Sequence, residues 1–459
     1  MTVASAYPNY RQPKMRWLPA VPEHWNEQRA KTFFREVDER SKTGQEELLS
    51  VSHLTGVTPR SQKNVTMFKA ASYVGSKLCR PGDIVINTLW AWMAALGASR
   101  HVGIVSPAYG VYRPHYADSF NPAYLDYLLR TRAYVAEYIG RSTGIRSSRL
   151  RLYPNQFLDI ALIQPPRPEQ DQIVAYLRAQ DAHIARFIKA KRDLIKLLTE
   201  QKLRIIDHAV TRGLDASVAL KPSGIEWLGE VPEHWELRRL KFLASNTTNQ
   251  TTTKAIDEIY LALEHVQSWT GVARPLEGEV EFASTVKRFV ANDVLFGKLR
   301  PYLAKVTRVH RAGVCVSEFL VLRARKELIL PAYLEQLMRC KRVIDLINSS
   351  TAGAKMPRAD WTFIGNARLP IPRQDEQKAI LSHISRETKD LDEAIARAEE
   401  EIKLILEYRD RLIADVVTGQ VDVRAWVPGP DDVVAEEDLA ALGGDEEIET
   451  NGEDDDGEE

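Results

Sequence analysis

PEQDQIVAYLRAQDAHIARFIKAKRDLIKLLTEQKLRIIDHAVTR, residues 168–212, is the stretch that decides the fold. Apolar residues recur in it at steps of three and four: Ile173, Leu177, Ile184, Ile188, Leu194, Leu198, Ile205 and Ala209, with Lys, Arg, Asp and Glu between them. The spacing predicts one long amphipathic helix. At about 1.5 Å per residue it makes a rod of about 65 Å, too long to bury its stripe inside one small domain. A partner of similar length lies at residues 374–418, where Ile380, Ile384, Leu391, Ile395, Ala398, Ile402, Ile405, Leu412 and Val416 step in the coiled-coil manner. Two matched rods in one chain predict an intramolecular antiparallel coiled coil rather than helices of separate all-α domains.

The chain has 459 residues, of which 44% are hydrophobic, enough for two or three domains with an ample core. No apolar run reaches the roughly 20 residues needed to span a bilayer, and MTVASAYPNYRQPKMRW lacks the apolar core of a signal peptide. The expectation is a soluble, cytoplasmic protein without a membrane partner. Cys79, Cys315 and Cys340 stand too far apart for a zinc half-site and are odd in number, as in a reducing compartment.

The formal net charge of −1 hides an asymmetry. From Asp431 to the end the chain carries 15 Asp and Glu and no Lys or Arg, so residues 1–430 hold 62 basic against 48 acidic residues, a surplus of 14. A body that basic suggests a polyanionic partner, most simply nucleic acid. The tail, 431–459, is poor in aromatics and dense in like charge, which predicts disorder.

Read from the start, the chain is a duplication. WLPAVPEHW (17–25) returns as WLGEVPEHW (227–235), an offset of 210 residues. The same register places PGDIVIN (81–87) over ANDVLFG (291–297), and NPAYLDYLLR (121–130) matches LPAYLEQLMR (330–339) with a drift of one residue. IQPPRPEQDQIVAYL (163–177) and LPIPRQDEQKAILSHI (369–384) each run straight into a rod. A repeat this long makes each copy a domain plus an arm. Short β-rich runs bounded by Gly, Pro, Asn and Asp, then a helix at about 122–139 and again at 331–348, predict α+β domains. Glu169 and Glu376 suit the positive helix ends, and proline belongs there. The segments are then 1–25, completing a pseudo-two-fold; domain 1, 26–165; first rod, 166–213; linker and repeated turn, 214–235; domain 2, 236–371; second rod, 372–418; a C-terminal segment, 419–430; and the tail. Joining the two termini would regenerate the linker.

Catalytic signatures are missing. There is no GxGxxG and no P-loop, and Pro165-Pro166 lacks the flanking residues of an amino-methyltransferase loop. His24 and His234 recur in the PEHW turns without a second ligand at metal spacing, and read as turn-shaping residues whose Trp packs on the rods. The chain is expected to be no enzyme in its own right.

The paired VPEHW turns, PGDIVIN and ANDVLFGKLRP, the two proline-led helix starts and the repeated layout together resemble the specificity subunit of type I restriction-modification systems. The resemblance spans about residues 15–427, and its specificity lies in the order and duplication of motifs rather than in any one. The chain departs from it in the acidic tail and in NTLWAWMAALGASR, which stands where KLRP (298–301) stands in the second copy. The resemblance implies two target-recognition domains, each reading one half of a bipartite asymmetric double-stranded DNA site, with the coiled coil as a ruler between them. It implies docking of two methyltransferase subunits, which use S-adenosylmethionine, and of two restriction subunits, which use ATP and Mg; no cofactor is bound by this chain. A standalone duplicated DNA-binding regulator is the alternative. Apolar residues off the seam, Leu197, Phe187, Ile188, Ile206 and Leu404, favour docking of other subunits.

Base edges need exposed side chains on loops, and phosphates need Lys and Arg. In domain 1 the candidates are His53, Lys77, Asn87, Trp90, Arg100, Arg146 and Arg149. In domain 2 they are His265, Lys298, Arg300, Tyr302, Lys355 and Arg358.

Overall fold

The computed structural model describes residues 6–442 apart from 54, 63–71, 145–149, 279, 281, 283 and 352–355. The chain divides into two compact units, Met1–Arg192 with Glu399–Glu459, and Asp193–Ala398. Its longer helices are α1 (Pro122–Leu129), α2 (Arg132–Arg141), α3 (Arg167–Arg212), α4 (Pro331–Arg339), α5 (Lys341–Ser349) and α6 (Gln374–Val417). None of the described helices is long and apolar enough to cross a membrane.

Each unit is a mixed α+β domain, and the two share the strand order of one four-stranded antiparallel sheet, while their remaining strands pair differently. In the first, an antiparallel sheet runs in the order Phe34–Glu36, Gly110–Pro114, Ile84–Ile86, Leu96–Ala98. In the second the order is Ala244–Thr247, Phe319–Ala324, Val294–Gly297, Val306–Arg308. In each sheet an arginine of the second strand clamps the aspartate that precedes the third with two hydrogen bonds: Arg113 on Asp83 at 3.0 and 2.9 Å, and Arg323 on Asp293 at 2.9 and 2.8 Å. Both aspartates are buried, so each pairing removes the cost of a lone carboxylate in the interior. The helix expected after each sheet is two helices. Thr131 and Cys340 break it at matching places with extended backbone, ψ 152° and 131°, and the Thr131 hydroxyl donates back to the Leu128 carbonyl.

The two rods are present as α3 and α6. Their pairing is antiparallel: Arg409 chelates Asp181 at 2.6 and 3.1 Å, Lys191 meets Glu401, and Lys202 meets Asp392 at 2.5 Å, so one helix descends as the other rises. The seam is tight near the domains and looser away from them. Ile173, Leu177, Ile184, Ile188 and Val416 are buried, whereas Leu194 is exposed and Leu198, Leu391 and Ile402 are half-buried. Two helices alone cannot surround an apolar stripe. Ile188 and Ile206, expected outside the seam, are buried; Phe187, Leu197 and Leu404 are exposed as expected.

A second core seals each unit onto the rods. In the first unit Tyr112, Leu125, Tyr134 and Phe157 cluster with Ile173 and Leu177 from the start of α3 and with Val416 and Val417 from the end of α6. In the second, Tyr333, Leu337 and Ile344 cluster with Ile206 and Val210 from the end of α3 and with Ile380 and Ile384 from the start of α6. A buried tyrosine in each donates to a last-turn carbonyl that has no partner within its helix: Tyr124 to Val417 at 3.1 Å and Tyr333 to Val210 at 3.4 Å.

The PEHW turns form the joints. Glu169, in the first turn of α3, accepts from Trp25 Nε1 at 3.0 Å and pairs with His24 Nε2 at 2.9 Å. Glu376, in the first turn of α6, does the same with Trp235 at 2.9 Å and His234 at 2.8 Å. Glycines in left-handed backbone follow the opposite helix ends, Gly419 at φ 79° and Gly213 at φ 75°, where L side chains are strained. A Cβ on Gly419 would also run into Pro22 and Trp25.

The tail differs from the expectation of disorder from Asp431 onward. Asp431–Leu442 are placed against α3: Asp432 pairs with His183 at 2.7 Å, and Arg186 donates to the carbonyls of Asp431 and Val433 at 2.9 and 3.0 Å. Arg192 donates to the Ala441 carbonyl at 3.0 Å. Acidic residues find the basic face of the adjacent rod, which a composition argument about the tail alone does not see.

Candidate nucleic-acid interface

The candidate surface is built in each unit from a hairpin loop and the neck of a following loop. In the second unit the strand Val294–Gly297 leads into Lys298, Leu299 and Arg300, and then a 3-10 turn, Pro301–Leu303. The neck lies alongside: Ala359 N donates to Lys298 O at 2.9 Å, Arg300 N to Pro357 O at 2.8 Å, and Leu299 forms a bridge with Arg358. These bonds bring Lys298, Arg300, Tyr302 and Arg358 together. Arg358 leans on Glu318 at 3.2 Å, while Arg300 and Tyr302 are exposed. Arg300 holds a left-handed backbone, φ 49°, unusual for a residue with a side chain, and its carbonyl accepts from Leu303 N. Strain of this kind persists where surrounding bonds over-determine it.

The first unit repeats the construction. Ile84–Ile86 leads through Asn87 and Thr88 to the 3-10 turn Ala91–Met93, and Leu152 N donates to Thr88 O at 3.0 Å. At the 210-residue offset Thr88 answers Lys298, Trp90 answers Arg300 and Trp92 answers Tyr302. Both turns close on a left-handed alanine, Ala94 at φ 63° and Ala304 at φ 47°. Trp90 is exposed. Asn87 is half-buried and donates to the Tyr109 hydroxyl at 3.1 Å.

The other candidates fall elsewhere. Lys77 is buried, its ammonium donating to the Tyr109 carbonyl at 2.8 Å. Its counterpart at the same offset, Lys287, likewise donates to Phe319 O at 2.7 Å and Ser317 O at 3.1 Å; burial, then the nearby Lys298 charge, lowers its pKa. These two amines hold strands together and are spent on carbonyls. His53 is exposed, its carbonyl taking a hydrogen bond from Arg130 at 2.9 Å. Arg100 is exposed and acts on Asp126, whose pKa burial raises while Arg130 and then Arg100 pull it down. His265 is half-buried, its Nδ1 accepting from Ala262 N at 3.0 Å and its ring edge-on to Tyr260. Arg146, Arg149 and Lys355 lie outside the described residues. Among the described residues no cluster of three or more His, Cys, Asp or Glu could hold a metal ion.

No protein-family model matches the chain. A curated relative, the type I restriction enzyme EcoDI specificity subunit of Escherichia coli, is 21% identical over 218 residues, 47% of this chain and 48% of that protein. In sequence over that stretch the chain is similar to a type I restriction specificity subunit. The match spans about half the length of that relative. A solved structure described as the basis of complex assembly and conformational transition of the type I R-M system superposes over 87% of this chain and 99% of its own, with a TM-score of 0.55 and 14% identity. At that identity the likeness is one of fold. The HsdS subunit from Thermoanaerobacter tengcongensis matches over 87% of this chain with a TM-score of 0.36 and 15% identity.

The residue-by-residue pairing inside the two 3-10 turns is the part that sequence reasoning missed, although the offset already set NTLW (87–90) over GKLR (297–300). Trp90 and Tyr302 were singled out one by one, whereas the offset pairs Trp90 with Arg300 and Trp92 with Tyr302. The signal was available in the left-handed alanine at the same step of each copy, but backbone conformation at an alanine is not legible from residue type.

Proposed function

We propose that this chain is the non-catalytic DNA-specificity subunit of a type I restriction-modification complex in the cytoplasm. Each unit reads one half of a bipartite asymmetric double-stranded site, and α3 and α6 set the spacer and dock two methyltransferase subunits, with two restriction subunits joining them. S-adenosylmethionine, ATP and Mg serve those partners. The observation that carries the reading is the duplication of a basic or aromatic hairpin turn on two units that share the order of one four-stranded sheet. Lys298, Arg300, Tyr302 and Arg358 contact the second half-site; His53, Asn87, Trp90 and Arg100 contact the first. Arg146, Arg149 and Lys355 are assigned to DNA contact from the sequence alone. Arginine in such places offers phosphate contacts and bidentate recognition of guanine. Phe187, Leu197, Leu404 and Tyr408, apolar and exposed on the rods, support the docking role.

The test is long-read mapping of methylated adenines in the source genome, with and without the gene for this chain. The expected result is one bipartite motif that vanishes on deletion and returns on complementation. Persistence of every methylated motif after deletion contradicts the reading.

A further inference from the structure

The loop Asn87–Ala95 carries two tryptophans, the outer one exposed and the inner one half-buried. Trp90 and Trp92 lie with ring centroids 6.1 Å apart and planes 16° from parallel. Trp92 is fixed by its indole N–H, which donates to the Leu89 carbonyl at 2.9 Å. Ala91 between them is fully buried and anchors the turn, while Ala95 N donates to Trp90 O at 3.2 Å and closes it. The outer ring, 40% exposed, is thus a flat apolar face backed by a second ring and held by a braced turn. Leaving so large an apolar side chain in water is unfavourable unless something covers it.

The second unit indicates what covers it. At the same two steps of the equivalent turn stand Arg300 and Tyr302. Hydrogen-bonding capacity is not what the copies share, since an indole has one donor and a guanidinium five. They share a planar group at the first position and an aromatic ring two residues later. Indole, phenol and guanidinium planes are the groups on which unstacked nucleobases stack. An apolar protein surface fits the first turn but not the second, where Lys298 and Arg300 stand beside the Arg358–Glu318 ion pair.

Resting on the DNA-reading role proposed above, we propose that Trp90 stacks on a nucleobase displaced from the duplex stack in the first half-site. Trp92 backs the ring and holds its orientation. Unstacking a base costs less where the stack is already weak, so the contact also favours half-sites with a deformable step.

The experiment uses the full complex of this chain with its methyltransferase subunits. DNA bearing the mapped site carries a 5-iodopyrimidine at each pyrimidine of the first half-site in turn, a base that couples under long-wavelength light to an aromatic ring stacked against it. The expected result is one position that cross-links to Trp90, found by mass spectrometry of the peptide, and that is lost in W90A. W90A should also weaken specific binding about 5- to 150-fold, and W90F should retain most of it. Specific binding without a cross-link at Trp90, or a W90A complex with unchanged affinity, overturns the stacking proposal alone. Failure of the unaltered complex to bind the mapped site overturns the DNA-reading role itself.

Discussion

The joint in the second unit is one continuous chain, whereas the joint in the first is assembled from the two ends of the polypeptide. In the second, α3 ends at Arg212 and the chain continues through the strand Leu220–Pro222, paired with Glu230–Pro232, into Trp235. In the first, α6 ends at Val417 and the matching strand, Tyr10–Arg11 paired with Val21–Pro22, arrives from the other terminus. Side chains tie residues 7–10 to the segment that follows α6. The Tyr10 hydroxyl donates to Gly419 O at 3.0 Å, the Tyr7 hydroxyl to Glu169 at 2.5 Å, and Arg424 lies 4.8 Å over the Tyr7 ring. Burial and the Glu169 contact push the Tyr7 pKa up, keeping its hydroxyl a donor. At the 210-residue offset Tyr7 answers Ser217. The shared Glu-His-Trp set holds a helix start against a domain in both joints, and Tyr7 and Tyr10 add hydrogen bonds in the first joint alone.

The largest effect should come from breaking the equivalence of the rods. Two residues inserted near Leu198 turn the apolar stripe by about 200° and should abolish methylation by the complex, whereas four residues turn it by about 40°. The four-residue variant should keep both half-sites and lengthen the spacer by one or two base pairs, since it adds about 6 Å against roughly 3.4 Å per base pair. An unchanged spacer in methylation maps would show that the helices do not set it. Next comes E169A against E376A. Glu169 is the more buried and accepts three hydrogen bonds to Glu376's two, so its loss should cost about 3–5 kcal/mol against about 1–3 for E376A, compared by chemical denaturation of the full chain. Equal costs would mean that the tyrosine strap adds nothing. Truncation after Leu442 removes ten carboxylates yet leaves the contacts on α3, and should tighten non-specific DNA binding several-fold at low salt and little at 0.5 M. An unchanged salt slope would reduce residues 443–459 to a solubilising role. The smallest effect is an absence: burial pushes the Cys79 and Cys315 thiols up to about 12 and raises that of Cys340, so native protein at pH 8 should resist iodoacetamide in both units. Rapid labelling of one cysteine would mark its unit as the less closed.

Elements that repeat were legible in the sequence. The rods showed in their apolar spacing, the joints in WLPAVPEHW and WLGEVPEHW, and the shared sheet order in the offset that lays Ile84 over Val294 and Leu96 over Val306. Three-dimensional facts about single residues were not. Lys77 reads as a surface cation until the sheet brings the Tyr109 carbonyl to it. Ile206 sits off the apolar stripe, yet it is buried in the core of the second unit. The break at Thr131 lies inside an unbroken helical pattern and depends on backbone angles that residue type does not reveal. The tail's grip on α3 joins Asp432 to His183 across 249 residues, beyond any local rule.

The most direct test of the account exchanges residues 26–165 for the equivalent segment of a relative with a different known site, leaving both joints and both rods in place. Adenine methylation is then mapped in cells carrying the chimaera and the unaltered methyltransferase subunits. The account predicts a motif in which the first half-site is that of the relative, with the second half-site and the spacer unchanged. A motif altered in both halves, or in neither, would contradict the assignment of one unit to one half-site.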